Sequence, residues 1–357
     1  MALRTPSLGC ILAALATAQQ PAPTVDTPPW QRARAVFFVQ SDNPVGAEAC
    51  VGYEALAWDQ ASRLLVDGAK TGDRVGLGRA GCATFDTISE VDFAGTKIKP
   101  DDYFIALERS KDGWALLFLD ARKVRGAQSD PVALAKAPVL ARTPLQYKTS
   151  DGNGSLTCAL QPDSKGNPMA LTVNWGPHAW SCSARVRGAD GTQPLAQPML
   201  RRCSRVVFAP AKDGKLLAAL LDHGTPAWNG ERAKAMAALK TGSRWRFGTD
   251  WWTTLDSDVP LLIGGKKLPA GCWHLVLQKA DGDGWNLCCC AAADQLGQRL
   301  DAFSADQAKP ALVVPLTVAK ATKMADALQV QFAVDGRQLL LEVLFGDHRL
   351  TVPLTQG

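Results

Sequence analysis

Much that would mark a nucleic-acid, membrane or cofactor protein is missing from this chain. Its charge is nearly balanced, 39 basic against 34 acidic side chains in 357 residues, and no basic run stands out, so no nucleic-acid partner is expected. After the amino terminus no apolar run approaches the roughly 18–20 residues that span a bilayer, so no transmembrane segment is expected. The sequence has no P-loop, dinucleotide fingerprint, nucleophile elbow, HExxH or CxxC, and hence no expected cofactor or metal and no assigned catalytic residue. Histidine is scarce at four residues, which leaves few imidazoles for acid–base work.

What is present begins with an export signal. Arg4 supplies a positive start, Leu8 to Ala16 a short apolar run, and Ala16-Thr17-Ala18 a small-x-small cleavage site. Residues 1–18 therefore read as a signal peptide, cut near Ala18, and the destination as periplasmic or secreted. Cys10 lies inside the apolar run, unlike a lipidated cysteine. Residues 19–30, rich in proline, read as an extended linker.

The mature chain keeps nine cysteines, an odd number, in a compartment that permits disulfides. Cys272 and Cys290 flank the Asp281–Gly284 turn and form one candidate pair, with Cys288 as the alternative to Cys290. Cys158 and Cys182 form another. The Cys288-Cys289-Cys290 run alternates faces on a strand, poor geometry for one metal ion.

The richest pattern appears when the chain is slid along itself by 170 residues. Ala57-Trp58 then meets Ala227-Trp228, Lys70-Thr71-Gly72 meets Lys240-Thr241-Gly242, Thr84-x-Asp86 meets Thr254-x-Asp256, and Gly176-x-His178 meets Gly346-x-His348. The expected organisation is a tandem duplication, with one repeat over 31–192 and the next over 203–357. Short alternating segments such as Tyr103–Leu107 and Trp273–Leu277, separated by Gly, Pro and Asp turns, predict strands. The expected fold is all-β, two tandem β-sandwich-like domains, each with one short helix. Asp59 and Asn229 are N-caps for helices over Gln60–Lys70 and Gly230–Lys240, and Gly72 and Gly242 sit where a left-handed C′ glycine would end them.

The second repeat carries Trp245-Arg246-Phe247-Gly248, then Thr253-Thr254, then Ile263-Gly-Gly-Lys-Lys-Leu-Pro-Ala-Gly271-Cys-Trp273, then Gly284-Trp285. This resembles the bacterial family known as domain of unknown function 2911. The first repeat is similar more loosely, through Gly78, Thr84, Gly95-Thr-Lys97, Tyr103 and Trp114. The family often places Asn-Glu shortly after its Trp-Arg motif; here Asp250-Trp251 and Ala80-Gly81 stand in those places. The resemblance implies a fold and no mechanism.

Trp245, Arg246, Asp250, Trp251 and Trp252 form the densest cluster of candidate ligand-binding residues. On an extended segment Trp251 and Trp252 face opposite sides, which would leave one exposed beside Arg and Asp to meet a glycan or peptide. The blander reading packs one in the core and lays the other under the helix. His348, matched by His178, is a further candidate; its blander reading is a turn histidine bonded to nearby backbone. Trp58 and Trp228 read as anchors for the helices, and Trp114 and Trp285 as core. The chain is thus expected to be an exported, non-enzymatic binding or structural module of the cell envelope. The alternative is a hydrolase-type enzyme with its site in the second repeat around Arg246, Asp250 and His348.

Overall fold

A computed structural model describes residues 23–26, 30–39, 47–78, 82–127, 133–161, 169–187, 198–208, 217–249 and 251–357. The expected signal peptide (residues 1–18, with Cys10), Ala80-Gly81 and Asp250 lie outside the described residues.

The fold is mostly antiparallel strand, as the alternating pattern predicts. In the N-terminal half the main strands are β1 (Trp30–Val39), β2 (Ala47–Tyr53), β3 (Ala83–Thr87), β4 (Asp101–Ser110), β5 (Gly113–Asp120), β6 (Val139–Gln161) and β7 (Met169–Val186). In the C-terminal half they are β8 (Pro198–Val207), β9 (Ala218–His223), β10 (Thr253–Ser257), β11 (Gly271–Lys279), β12 (Trp285–Ala291), β13 (Leu312–Asp335) and β14 (Gln338–Gln356). Within each half, each of these strands pairs with the next in sequence. The halves join where β1 pairs with β8, Arg32 opposite Arg201 and Ala33 opposite Leu200. One sheet therefore runs through both halves.

β6 and β13 are 23 and 24 residues long, too long for one layer. Register shifts between Thr149 and Thr157, and between Lys320 and Gln329, break the ladder and let each strand bend out of the shared sheet. Their far ends pair with β7 and β14 to make a second layer. A short hairpin extends each second layer, Val91–Phe93 with Thr96–Ile98 in one half and Leu261–Ile263 with Lys266–Leu268 in the other. Each half thus encloses its own core, around Phe85, Phe118 and Trp175 in the first and around Phe247, Leu275 and Phe345 in the second.

Burial follows from this layering. β7 faces the core on one side only, and its residues alternate between buried and partly exposed. β4 and β5 are buried on both faces, because the outer face of the shared sheet is covered as well. Cys82, Phe104 and Leu117 pack there under α2 (residues 121–127) in the first half. At the join, Trp251, Trp252, Leu296 and Ala305 of the second half cover Val36, Cys50 and Ile88 of the first.

Two expectations about helices change. Among the described residues each half has two short α-helices, not one: α1 (Gln60–Asp67) and α2 in the first, α3 (Gly230–Ala237) and α4 (Ala292–Gly297) in the second. α2 and α4 follow strands directly and are too short to show a helical period. The caps of α1 and α3 are as read, Asp59 accepting from Ser62 N and Asn229 from Arg232 N. Both helices end earlier than expected, at Asp67 and Ala237. Gly72 and Gly242 do take positive φ, but in the turn beyond, where their N–H groups bond the carbonyls of Arg109 and Lys279. Part of the expected linker is also a strand: Thr24–Val25 pairs with Val206–Val207, and Asp26 meets Arg205 at 2.7 Å.

The proposed disulfides are corrected. All nine described cysteines are free. In the β11–β12 register Cys290 faces His274, so Cys272 is only its diagonal neighbour, and diagonal neighbours stand about 7–8 Å apart, beyond ordinary disulfide reach. Cys288 faces Val276, further along. Cys158 faces Val173, well along β7 from Cys182. Burial pushes the thiols of Cys50, Cys182 and Cys290 up to about 12, which makes them inert.

Candidate functional site

The described cavity that contains predicted residues lies in the C-terminal half. It has a volume of about 570 Å³ and is walled by α3, the strand end Arg244–Trp245, and the 3-10 turn Ala302–Ser304. Trp245 and Arg246 line it, as do Arg232, Arg244, Phe303 and Asp306.

Each wall is set by local chemistry. Asn229 caps α3 so that Arg232, one turn in, faces the cavity; its Nη1 also donates to the carbonyl of Ala227. Arg244 pairs across the strand with Gln278, and its Nη1 donates to the carbonyls of Ala308 and Asp306. Trp245 is half-buried, its ring stacked on Phe345 at 5.5 Å and tilted 6.4 Å from Trp285. Arg246 carries Phe303 over its guanidinium at 4.2 Å. Phe303 is 66% exposed, a large apolar ring left at the rim. Behind the wall lies Glu48 of the N-terminal half, wholly buried. Burial pushes its carboxyl well above the usual carboxylate range, Asp301 adds to that, and Arg246 and Arg34 oppose it.

The other predicted residues lie elsewhere. Trp251 and Trp252 are both fully buried, so neither is the exposed platform expected. The segment is a turn and not a strand: Trp251 N donates to Thr249 O, which cancels the face alternation. Trp252 instead stacks on His274 at 4.7 Å and 7°. Burial lowers that imidazole to about 3, so it stays neutral. His348 sits on β14, edge-on to Trp228 at 6.1 Å and 3.6 Å from Asp347; it is not among the residues that line the cavity.

Neither Gly-x-His histidine is a hairpin-turn residue held by backbone. The glycines take φ of 57° at Gly176 and 63° at Gly346, and a Cβ there would fall 2.2 Å from Trp58 or 2.3 Å from Trp228. Each tryptophan therefore seats directly on its glycine, beside the following histidine. His178 is further fixed between Asp67 and Tyr147, each 2.8 Å away. A carboxylate only accepts, so in the neutral ring Nε2 donates to Asp67 and Nδ1 accepts from the Tyr147 hydroxyl.

Sequence reading missed Arg232, Arg244 and Phe303. The available signal was the offset itself, which sets Arg232 against Ser62. It also missed a buried ion cluster at the join of the halves. Asp222 meets Arg34 at 3.1 Å, Arg32 at 3.9 Å and, through Nε, Arg201. Burial would raise this carboxyl, but Arg34, Arg201 and Arg32 outweigh it and hold it well below the usual range. Arg125, from the N-terminal half, bridges Asp102 at 2.6 Å and Asp256 of the other half at 2.6 and 2.9 Å. All of these ions but the partly exposed Asp256 are buried, and they tie the halves together.

Among the described residues no group of acids, histidines and cysteines could hold a metal ion, and no helix is long and apolar enough to cross a membrane. Neither a curated protein nor a solved structure matches the chain. Residues 215–354, which contain every described residue lining the cavity, match the family model described as protein of unknown function, DUF2911, as a single copy.

Proposed function

We propose that the chain is an exported binding module of the bacterial cell envelope, without catalytic activity of its own, that takes a glycan or peptide ligand in the cavity of its C-terminal half. The observation that carries this reading is the cavity: about 570 Å³, within the range of small-ligand sites, with aromatic rings and fixed guanidinium groups on its walls. Asp306 is the one carboxylate among the described lining residues, which gives a hydrolase little to work with as an acid–base pair. We further read the two halves as tandem copies of one domain. In support, α1 and α3, the strands Ala83–Thr87 and Thr253–Ser257, and the short hairpins recur at one offset. Export rests on the charged start, apolar run and Ala16-Thr17-Ala18 of the sequence.

Titration calorimetry of the mature chain against a panel of saccharides and short peptides tests the binding reading. Saturable heat that Trp245→Ala abolishes is the expected result. A silent panel with a folded protein would leave a purely structural role. N-terminal sequencing of protein recovered from the envelope fraction should begin at Gln19; an intact Met1 would remove the export reading.

A further inference from the structure

The two halves offer a controlled comparison of this cavity. The first has a smaller cleft of about 310 Å³, lined by Leu64, Leu65, Ala69, Asp73 and Arg74 among others. Its Arg74 corresponds to Arg244, since each opens the strand after its capped helix and pairs across to β4 or β11. Across from Arg74 stands Glu108, 3.7 Å from its Nε. Across from Arg244 stands Gln278, a neutral side chain. At the matched helix position Ser62 becomes Arg232, and along the strand Val75-Gly76 becomes Trp245-Arg246. At the matched positions the second half therefore carries two more arginines and a tryptophan, and an amide where the first half sets Glu108 against its arginine; each cavity has one carboxylate among its described lining residues, Asp73 in the first and Asp306 in the second.

Rooted in the binding reading above, we infer that the ligand is an acidic saccharide, a sugar ring bearing a carboxylate, received by Arg232, Arg244 and Arg246 and packed against Trp245 and Phe303. The hydrogen bonds of Arg232 and Arg244 go to backbone carbonyls. Such bonds hold a guanidinium in place without cancelling its charge, and a pre-placed guanidinium binds a carboxylate through paired N–H donors. A bare inorganic anion would use the arginines but would leave Phe303 uncovered. The C–H face of a sugar ring covers such a ring and buries apolar area.

The test is calorimetry on the full mature chain with four probes: a galacturonate trimer, the matching neutral galactose trimer, sodium sulfate, and a glutamate-rich tripeptide. The acidic trimer should bind, the neutral one about tenfold more weakly or worse, and the affinity should fall as salt rises. Gln278→Glu, which restores the acid of the other half, should weaken the acidic trimer roughly fivefold with unchanged melting temperature. Equal binding of both trimers with Gln278→Glu inert would overturn the acidic assignment while leaving the binding reading intact. Sulfate or the peptide binding as well as the acidic trimer would overturn the sugar assignment. If every saccharide and peptide tried is silent, both readings fail together.

Discussion

The N-terminal and C-terminal halves keep the same skeleton and differ in how their charge is disposed. Asp86 and Asp256 occupy matched places on β3 and β10, yet Asp86 is neutralised from within its own half by Arg34 at 3.3 Å, whereas Asp256 is clasped by Arg125 from the other half. Arg74 faces a carboxylate and Arg244 faces an amide. Trp58 with Gly176 and Trp228 with Gly346 are, by contrast, alike down to the distance a Cβ would intrude. Packing that shapes the backbone is thus common to both halves. Charge is disposed differently: both halves supply ions to the join, and at the matched strand position Arg74 has a carboxylate across from it where Arg244 has an amide.

The join offers the largest effect with which to break this comparison. Asp222→Ala should cost about 3–5 kcal/mol in chemical denaturation, because three buried arginines lose their shared counter-ion. The pH dependence has opposite signs for the two aspartates here. Asp222 is held below its ordinary range, so its contribution is present above that range and fades as the solution is acidified. Asp86 is raised to about 7, chiefly by burial and against the pull of Arg34. It is therefore harmless at low pH and costs stability as pH climbs from about 4 towards 7. Asp86→Asn should remove that loss. A stability profile identical to wild type in both variants would show that the cluster does not hold the halves together.

Next in size is the shared tryptophan seat. Gly176→Ala and Gly346→Ala each place a side chain at positive φ and into an indole, so each should destabilise by about 2–4 kcal/mol. Similar losses in both halves would support a common skeleton. A loss in one half alone would mean that the matched spacing is not matched packing.

What could be read from the chain follows the same division. Strands are legible because burial on a half-covered layer has period two, as β7 shows. Helix starts are legible because Asp59 and Asn229 cap locally. Trp245 and Arg246 are adjacent and reach the cavity together, so the sequence could point to them. Arg232 and Phe303 arrive from other elements, and nothing local announces their convergence. Trp251 and Trp252 misled because the alternation rule holds only for extended backbone, and a turn at Thr249–Trp251 lets both indoles enter one core. The β1–β8 pairing was invisible for a related reason: an edge strand carries no mark of which strand it will meet.

The smallest effect is the most discriminating, because it asks whether two matched histidines are equivalent. His178 is buried, donates to Asp67, accepts from Tyr147 and lies stacked with Trp180 at 5.5 Å. At the matched place in α3 Asp67 is replaced by Ala237, and His348 is left partly exposed with Asp347 at 3.6 Å. His178→Ala should therefore cost roughly 1–2 kcal/mol, from two hydrogen bonds and lost packing. His348→Ala should stay within about 0.5 kcal/mol, as surface changes usually do. Urea melts of the two variants measure the difference directly. If His348→Ala proved the costlier, its Trp228 contact would be holding β14 more firmly than the Asp67–His178–Tyr147 bridge holds α1 to β6. Charge would then not be what separates the two halves at this position.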